Sequence, residues 1–240
     1  LQSLYYFSKS EVQIKITPPI SIKTKPNELI QDIFCFHEYK KQYFHSLTLA
    51  VILKDDTTLK RIFDITFSFI ALLIFTIPII IISLLLTYKE RHPVLFKQER
   101  IGRNKKPFQI LKFQTMINEA PTKTGQFLRR TGLDELPQFI NVLKGDMSIV
   151  GPRALTSYDI HRLNWNDGYH SIRWNSKPGI TGFAQVYGGQ HRKTSWFWDK
   201  YYINNNNIII DFGIVGISFL MNIFGKTRVR QIIFQKSSLR

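Results

Sequence analysis

The chain has 240 residues, of which 44% are hydrophobic and 21% charged, so it is neither a disordered chain nor a collagen-like one. The 33 Lys and Arg residues against 17 Asp and Glu residues leave a formal net charge of +16, which predicts attraction to nucleic acid, anionic lipid headgroups or phosphorylated substrates. The single cysteine, Cys35, excludes an intrachain disulfide framework and a zinc site built on several thiolates.

Residues 1–55 are predicted to be an N-terminal extension of a domain that spans residues 56–240. Lys-rich and aromatic stretches alternate in this extension, and the prolines between residues 18 and 26 break any long element. Apolar and polar residues alternate from Val12 to Ile16, which favours one short strand. We find no motif there that carries chemistry.

An uncharged run of 24 residues, from Ile65 to Tyr88, exceeds the ~20 residues that a helix needs to cross a bilayer core. Pro78 lies in its middle and lacks a backbone donor, which predicts a bend near Thr76. The Thr76 hydroxyl can bond a carbonyl of the preceding turn and deepen that bend. Basic residues flank both ends of the run, so the positive-inside rule favours neither side. A kinked span, a re-entrant helix that returns to the same face, and a buried helix of a soluble core all fit this pattern.

The remaining segments predict a head of mixed helices and strands. Strand-like stretches in residues 92–116 are separated by a turn at Gly102–Lys105. Helices are predicted around Gly125–Arg130 and across residues 133–145, the second closed by its final glycine. The apolar stretch Ile208–Phe224, followed by basic residues, is typical either of an interfacial helix or of a core helix.

Two adjacent acids, Asp134 and Glu135, follow Arg129 and Arg130 in the segment LRRTGLDELPQ. Neighbouring side chains on a helix point about 100° apart, so the two carboxylates do not form one clamp by spacing alone. They can divide the work, with one carboxylate attacking and the other holding a divalent cation. Solvated ion pairs on a helix face would explain the same residues.

Several sequence blocks occur in series and carry a resemblance to a known family. They are KRIFD at 60–64, the apolar run broken by proline, VLFKQERIGRNKKPFQILKFQTM at 94–116, LRRTGLDELPQFINVLKGDMSIVGPRAL at 128–155 and KPGITGFAQVYGG at 177–189. Over residues 58–225 the chain resembles the bacterial sugar transferase family of monotopic polyprenyl-phosphate phosphoglycosyl transferases.

The resemblance implies an enzyme of the bacterial inner membrane with its catalytic head on the cytoplasmic face. Such an enzyme would transfer a sugar 1-phosphate from a nucleotide-diphosphate sugar to undecaprenyl phosphate and release a nucleoside monophosphate. This would be the first membrane step in the assembly of a surface glycan, such as an exopolysaccharide, a capsule, an O-antigen or a glycoprotein glycan. The expected partners are the two substrates and membrane lipids, and not nucleic acid.

The resemblance also implies a membrane-associated α+β fold. In that fold a re-entrant membrane helix is broken at Pro78, amphipathic helices lie at the interface, and a small globular head carries the catalytic site. This expectation favours the re-entrant helix over the kinked span.

The family's covalent mechanism assigns the nucleophile to Asp134 and the association with Mg²⁺ to Glu135. Arg129 and Lys112 match family positions that bind substrate phosphates. These residue types suit the chemistry, because Mg²⁺ and basic side chains offset the repulsion between an attacking carboxylate and a diphosphate.

Other residues are weaker candidates for the same site. Arg153 is expected to bind phosphate, although a surface or structural ion pair would explain it equally. Gln185 and Arg192 are possible substrate contacts. Asp146 is expected to fix a turn, and the glycines of the PGITG segment either satisfy turn geometry or present backbone N–H groups to phosphate.

The chain departs from the family pattern at four positions. Gln114 and Gly189 stand where a cation is common, Ala154 replaces the second proline of PRP, and Gly132 replaces a serine that often precedes LDE. These departures prompt a second hypothesis, a catalytically silent membrane adaptor of the same fold. The charge and the four tryptophans prompt a third, a basic nucleic-acid-binding protein.

Overall fold

The computed structural model describes residues 57–91, 93–187 and 192–235. The predicted N-terminal extension, its strand at Val12–Ile16, and Gly189 lie outside the described residues.

Helices dominate the described chain. In chain order they are α1 (Thr57–Ile74), α2 (Thr76–Leu84), α3 (Lys123–Thr131), α4 (Gln138–Lys144), α5 (Ser157–Leu163), α6 (Phe183–Tyr187), α7 (Arg192–Asn205), α8 (Ile208–Phe224) and α9 (Lys226–Gln235). A π-helical segment follows α2 at Leu85–Glu90, and short 3₁₀ turns lie at Arg103–Lys105, Leu133–Glu135 and Ser171–Asn175.

The strands in the described part of the chain form three small sheets of two strands each. They are β1 (Leu95–Ile101), β2 (Pro107–Phe113), β3 (Met116–Ile117), β4 (Ala120–Pro121), β5 (Ser148–Val150) and β6 (Gly179–Thr181). The pairs β1–β2 and β3–β4 are antiparallel, and β5–β6 is parallel. The predicted mixture of helices and strands is confirmed, whereas membrane association stays a prediction.

The helices α1 and α2 form a bent pair. Among the described residues no single helix has the length and apolar character needed to cross a membrane, but this pair meets the criterion together, with a bend of 57°. The break falls at Phe75 because Pro78 has no N–H to donate to the carbonyl of Ile74. The Thr76 hydroxyl donates to the Leu72 carbonyl at 2.7 Å. Both features agree with the bend predicted from the sequence.

The second limb of the bent pair packs on the head through one hydrophobic cluster. Its buried members are Ile82 and Leu86 from the limb, Phe113 from β2, Leu128 from α3, and Leu136. We call these five residues the apolar junction. Each buried side chain of this kind contributes about 1.5–3 kcal/mol to folding, so the limb is held firmly against the head.

The first limb is anchored by polar groups instead. Asp64 is buried and accepts hydrogen bonds from the Ser148 hydroxyl at 2.9 Å and from a backbone N–H of β5 at 3.0 Å. Lys60 Nζ lies 2.6 Å from Oδ2 of the buried Asp211 in α8. Arg61 donates to two carbonyls in the last turn of α4 at 2.7 and 2.8 Å. The start of α1 is therefore fixed to β5, α8 and α4.

The strands β1 and β2 form the predicted hairpin. Leu95 lies opposite Phe113 and Ile101 opposite Pro107, and the residues between them include the expected turn. The side chain of Asn141 in α4 covers the outer edge of β2, where it donates to the Gln109 carbonyl at 2.7 Å and accepts from the Leu111 N–H at 3.0 Å.

The prediction of one continuous helix over residues 133–145 is wrong in one respect. The structure has a 3₁₀ turn at Leu133–Glu135 and then a separate helix, α4. The reason is Pro137, which cannot donate to the Leu133 carbonyl and so interrupts a continuous helix. The predicted C-terminal end of the helix is confirmed, because Gly145 follows α4 with a φ of +93°.

The glycines of the PGITG segment are required by close backbone packing. A Cβ on Gly179 would lie 2.1 Å from the backbone nitrogen of Gly151, and a Cβ on Gly182 would lie 2.2 Å from the Gly151 oxygen. The N–H of Gly179 donates to the Pro152 carbonyl at 2.9 Å. That donor is used within the fold, which favours the structural interpretation over a phosphate cradle.

The outer sides of α1, α2 and α8 expose large apolar side chains. We call this set the apolar face; members more than half exposed include Phe69, Leu73, Ile77, Ile80, Phe212 and Phe219. The inner side of α8 instead buries Asp211 and Ile214. Large exposed apolar surfaces of this kind are typical of sites that bind another protein or a membrane.

Candidate active site

The two predicted catalytic acids lie in the 3₁₀ turn Leu133–Glu135, between α3 and α4. Gly132 ends α3 and opens this turn with a φ of +74°, a conformation that favours glycine. A Cβ at this position would also approach the amide nitrogen of Asn222 to 2.8 Å. The fold therefore explains why this chain has glycine immediately before LDE.

Asp134 is the more buried of the two acids. Only 8% of the residue is exposed. Burial, and after it the neighbouring negative charge of Glu135, raise the pKa of its carboxyl from 3.8 to about 6 against the opposing charges of Lys112 and Arg129. The carboxylate is thus poorly solvated but faces two cations, which is the environment of a reactive acid rather than of a surface ion pair.

Glu135 has a different environment from its neighbour. Its Oε1 lies 2.5 Å from Nζ of Lys112 on β2, and 36% of its side chain is exposed. The two acids therefore differ in burial and in partners, as expected for adjacent side chains that point in different directions. Glu135 can be reached from solvent while it stays beside Asp134.

Arg129 is held in place by the buried Thr115. Its Nε donates to Thr115 Oγ1 at 2.7 Å. The helix α3 lies very close to this residue, because a Cβ on Gly125 would come within 2.1 Å of the Thr115 carbonyl oxygen. The sequence analysis did not identify Thr115, although its place in the KFQTM block beside Lys112 was a signal.

The Arg153 backbone, and not its side chain, makes the contact that fixes this residue in the fold. Arg153 is exposed after β5, and its backbone carbonyl accepts a hydrogen bond from the buried Arg173. Arg173 is in turn paired with Asp199, with Nε 3.1 Å from Oδ2. Burial lowers the pKa of the Arg100 guanidinium, and the positive charge of Arg153 acts in the same direction.

The sequence analysis quoted Arg100 within a family block but gave it no role of its own. Its guanidinium donates to the Gln98 side chain at 2.6 Å and to the Ala154 carbonyl at 3.2 Å. It also lies 3.5 Å from Oδ2 of Asp159, near the start of α5. These contacts join β1 to the segment that carries Arg153.

The register of the hairpin places Arg100 on the same face as Lys112. In the β1–β2 register it lies opposite Phe108, and Lys112 lies opposite Phe96, so Arg100 and Lys112 share one face. Burial lowers the pKa of Arg100, and the charges of Asp159, Arg153 and Glu135 also act on it. Side chains alternate between the two faces of a strand, so the sequence would have placed Arg100 on the face of Lys112 once the register of the hairpin was known.

The two weakest candidates have their polar contacts elsewhere. Gln185 lies in α6, where its backbone carbonyl accepts from Arg230 of α9 at 2.9 Å. Its side-chain oxygen is buried without a hydrogen-bond partner. Arg192 starts α7, and its guanidinium lies 3.5 Å from the Asn164 carbonyl. Neither set of contacts includes the acid pair.

Two other residues from the sequence analysis serve local structure. Gln114, which stands where a cation is common, donates from its side chain to the Met116 carbonyl at 2.6 Å. The backbone N–H of Asp146 donates to the Asn141 carbonyl at 3.0 Å just after α4, which confirms the expected turn.

A complete metal site formed by protein side chains alone does not occur within residues 57–91, 93–187 and 192–235, where no group of three or more His, Cys, Asp and Glu side chains is suitably placed. Glu135 nevertheless fits Mg²⁺, which prefers oxygen ligands and commonly binds one or two carboxylates together with substrate phosphates. Its exposure would allow it to meet a cation that arrives with a phosphorylated substrate.

Comparison with known proteins identifies similar chains. A family model described as bacterial sugar transferase matches residues 55–225. The chain is 36% identical over 175 residues to the uncharacterized sugar transferase EpsL of Bacillus subtilis (strain 168), covering 65% of this chain and 83% of that protein. It is 35% identical over 195 residues to the exopolysaccharide production protein PSS of Rhizobium leguminosarum bv. phaseoli, covering 67% of this chain and 92% of that protein.

A third relative is much longer than the region it shares with this chain. The UDP-glucose:undecaprenyl-phosphate glucose-1-phosphate transferase of Escherichia coli (strain K12) is 37% identical over 187 residues, which are 67% of this chain. The matched region spans only 39% of that relative's length.

The raised pKa of Asp134 predicts a pH-dependent cost to stability. Ionisation of this carboxyl is harder in the folded chain than in the unfolded one. The free energy of unfolding is therefore unaffected below the ordinary pKa of 3.8 and falls as the pH rises from there through about 6. Asp134→Asn removes that cost. We expect its Tm to exceed that of the wild type by several degrees at pH 8, and the difference to shrink towards zero below pH 4. The control is Glu119→Gln, at an exposed position, whose Tm should equal that of the wild type at both pH values. An Asp134→Asn variant with the Tm of the wild type at both pH values would contradict the raised pKa of Asp134.

Proposed function

The chain belongs to the bacterial sugar transferase family, and we propose that it transfers a sugar 1-phosphate from a nucleotide-diphosphate sugar to undecaprenyl phosphate. The observation that carries this proposal is the buried Asp134 carboxylate, which has Lys112, Arg129 and Glu135 around it. The name of the Escherichia coli relative, which describes a transfer of glucose 1-phosphate to undecaprenyl phosphate, supports the same reaction class.

In the first step an oxygen of Asp134 attacks the phosphorus that bears the sugar. A bond forms between that oxygen and the phosphorus, and the bond from the phosphorus to the bridging oxygen of the diphosphate breaks. The nucleoside monophosphate leaves with the electron pair. An aspartyl-phosphosugar intermediate remains on the enzyme, as is usual for carboxylate nucleophiles.

In the second step a phosphate oxygen of undecaprenyl phosphate attacks the same phosphorus. The bond to Asp134 breaks and the carboxylate is regenerated, so the product is an undecaprenyl-diphosphate sugar. Burial favours this cycle, because a poorly solvated carboxylate is a better nucleophile than a hydrated one, and its pKa of about 6 leaves it mostly ionised at neutral pH.

The basic residues around the acid pair offset the negative charge of the substrates. The charges of Lys112 and Arg129 already act on Asp134, and Arg100 on β1 and Arg153 after β5 add further positive charge nearby. A transferring phosphoryl group needs this kind of electrostatic stabilisation more than any other catalytic help. Glu135, together with the substrate phosphates, would hold Mg²⁺, which supplies further charge neutralisation when bound.

We also propose that the bent pair enters the cytoplasmic face of the bacterial inner membrane and returns to it. The apolar face on α1, α2 and α8 has the side chains needed for contact with acyl chains. The net charge of +16 favours anionic headgroups, at ~1 kcal/mol for each basic residue near the surface. This placement would bring the acid pair, which adjoins the apolar junction, close to a lipid-borne acceptor.

The covalent step is tested by intact mass spectrometry after addition of nucleotide-diphosphate sugars. Wild-type protein should gain the mass of one sugar phosphate and Asp134→Asn should gain none, because an amide is not a useful nucleophile towards phosphorus. Adduct formation should also slow as the pH falls through about 6, where Asp134 becomes protonated.

Glu119→Gln makes the same chemical change at an exposed position and serves as the control. Near-normal turnover by Asp134→Asn would rule out the covalent mechanism. A wild-type chain that forms no adduct and no product with a broad panel of donors would instead favour the catalytically silent adaptor.

The re-entrant arrangement predicts that both ends of the bent pair face the same side of the membrane. Single cysteines at Thr58 and Lys97, in a variant that lacks Cys35, should react with an impermeant thiol reagent from the cytoplasmic side only. A cysteine at Tyr158, which is exposed on the head, is the control for that side. Labelling of Thr58 and Lys97 from opposite sides would establish a full span.

The role of Glu135 predicts a dependence on Mg²⁺. Chelation should stop transfer reversibly, and Glu135→Gln should raise the Mg²⁺ concentration needed for the half-maximal rate, since one anionic ligand is lost. The matched control is again Glu119→Gln. Full activity in excess chelator would mean that the basic side chains neutralise the substrates unaided.

A further inference from the structure

Two adjacent arginines near the end of α3 have different surroundings. Arg129 Nε donates to the hydroxyl oxygen of the buried Thr115 at 2.7 Å, whereas the Arg130 side chain has no hydrogen bond with any described residue. We propose that Thr115 is a positioning residue, which holds the Arg129 guanidinium in the orientation that binds the phosphates of the donor. The inference rests on the proposed function, because it assumes a phosphorylated donor at the acid pair.

The backbone of Thr115 is fixed independently of its side chain. Its carbonyl oxygen accepts from the N–H of Thr122, the N-cap residue of α3, at 3.1 Å. Gly125 packs on the same carbonyl, since a Cβ at this glycine would lie 2.1 Å from the oxygen. These contacts already attach α3 to the segment after β2, so the hydroxyl contact with Arg129 is not needed for that attachment. Threonine also has few χ1 rotamers, which fixes its hydroxyl along with its backbone.

The contact with Thr115 leaves the outer end of the guanidinium open. Arginine has five N–H donors in a planar fork, and Thr115 takes the one on Nε. Arg129 is an exposed residue, and its Nη1 and Nη2 have no hydrogen-bond partner in the part of the chain that the structure describes. Those two nitrogens can bind a phosphate in bidentate geometry. An arginine that is already anchored loses less conformational freedom when it binds than a freely rotating one.

The neutral hydroxyl orients Arg129 without cancelling its charge. Lys112 provides the contrast, because its Nζ lies 2.5 Å from Oε1 of Glu135 and its charge is largely balanced by that carboxylate. The charges of both cations act on the Asp134 carboxyl. Of these two cations, Arg129 therefore keeps the larger share of its positive charge for a phosphate that is brought to Asp134.

The test uses the full chain in detergent and measures the affinity for inorganic pyrophosphate, by calorimetry, and kcat/KM for the nucleotide-diphosphate sugar. Thr115→Val keeps the shape of the side chain and the backbone contacts but removes the acceptor. We expect it to lower the affinity and kcat/KM about tenfold each, as for the loss of one hydrogen bond. Thr115→Ser keeps the acceptor and should restore both to within about threefold of the wild type, the remainder reflecting its freer χ1 angle.

A double-mutant cycle separates positioning from packing. Arg129→Met should lower both quantities at least as far as Thr115→Val, because it removes the guanidinium itself. Adding Thr115→Val to Arg129→Met should then change neither quantity, whereas an effect through packing would add to the first loss. Arg130→Met makes the same change at the adjacent position and should behave like the wild type in both measurements. Thr115→Ala takes the place of Thr115→Val if the valine variant does not fold.

Three results would overturn the inference and leave the covalent step intact, since the wild type would still form its adduct. They are a folded Thr115→Val protein with the wild-type value in either measurement, a Thr115→Ser protein no better than Thr115→Val, and additive losses in the double variant. The reverse separation is also measurable. A wild type that forms no adduct, but whose pyrophosphate affinity falls in Thr115→Val and returns in Thr115→Ser, would support the positioning role and contradict the transferase mechanism.

Discussion

The packing of the acid turn against the bent helix pair is the constraint on which the site depends. Leu133 and Leu136 flank the two acids, and both pack in the cluster that contains Ile82 and Leu86 of the second limb. The same contacts that hold the limb to the head therefore remove water from one side of Asp134. The raised pKa of this carboxyl follows mainly from that loss of hydration, and only secondarily from the charge of Glu135.

The two limbs of the bent pair are attached to the head by different kinds of interaction. The second limb uses the apolar junction, whereas the first uses the buried contacts of Lys60, Arg61 and Asp64. Because each limb has its own attachment, the angle between them is set by the head as well as by Pro78. A buried charge such as Asp211 is costly unless it is paired, so the contact with Lys60 strongly favours one position of α1 on α8.

Local features of the fold could be predicted from the sequence because their causes are local. Pro78 and Thr76 act within one helical turn, and Gly145 ends α4 through its own backbone conformation. The break at Pro137 was missed because the apolar pattern of residues 133–145 continues through it, although the missing donor was visible in the sequence.

The site could be predicted only in part, because most of it is made by contacts between distant segments. Residue spacing cannot show that Lys112 meets Glu135 across 23 positions, and the family resemblance placed both residues in the site without predicting their contact. Arg100 reaches the site through the register of a hairpin and a contact with α5, neither of which is encoded near it in the chain. Gln185 lies in the family block KPGITGFAQVYGG and Arg192 follows that block by three residues, yet tertiary packing gives both of them partners outside the acid pair.

The side chain of Asn141 has a consequence for how the protein behaves in a crowded solution. A two-stranded sheet has open edges whose backbone groups can recruit a strand from another molecule, which is a common start of aggregation. The amide of Asn141 occupies the Gln109 carbonyl and the Leu111 N–H at the outer edge of β2, in the manner of a third strand. One helix residue thus occupies the middle of this edge and hinders the addition of a foreign strand to β2, the strand that carries Lys112.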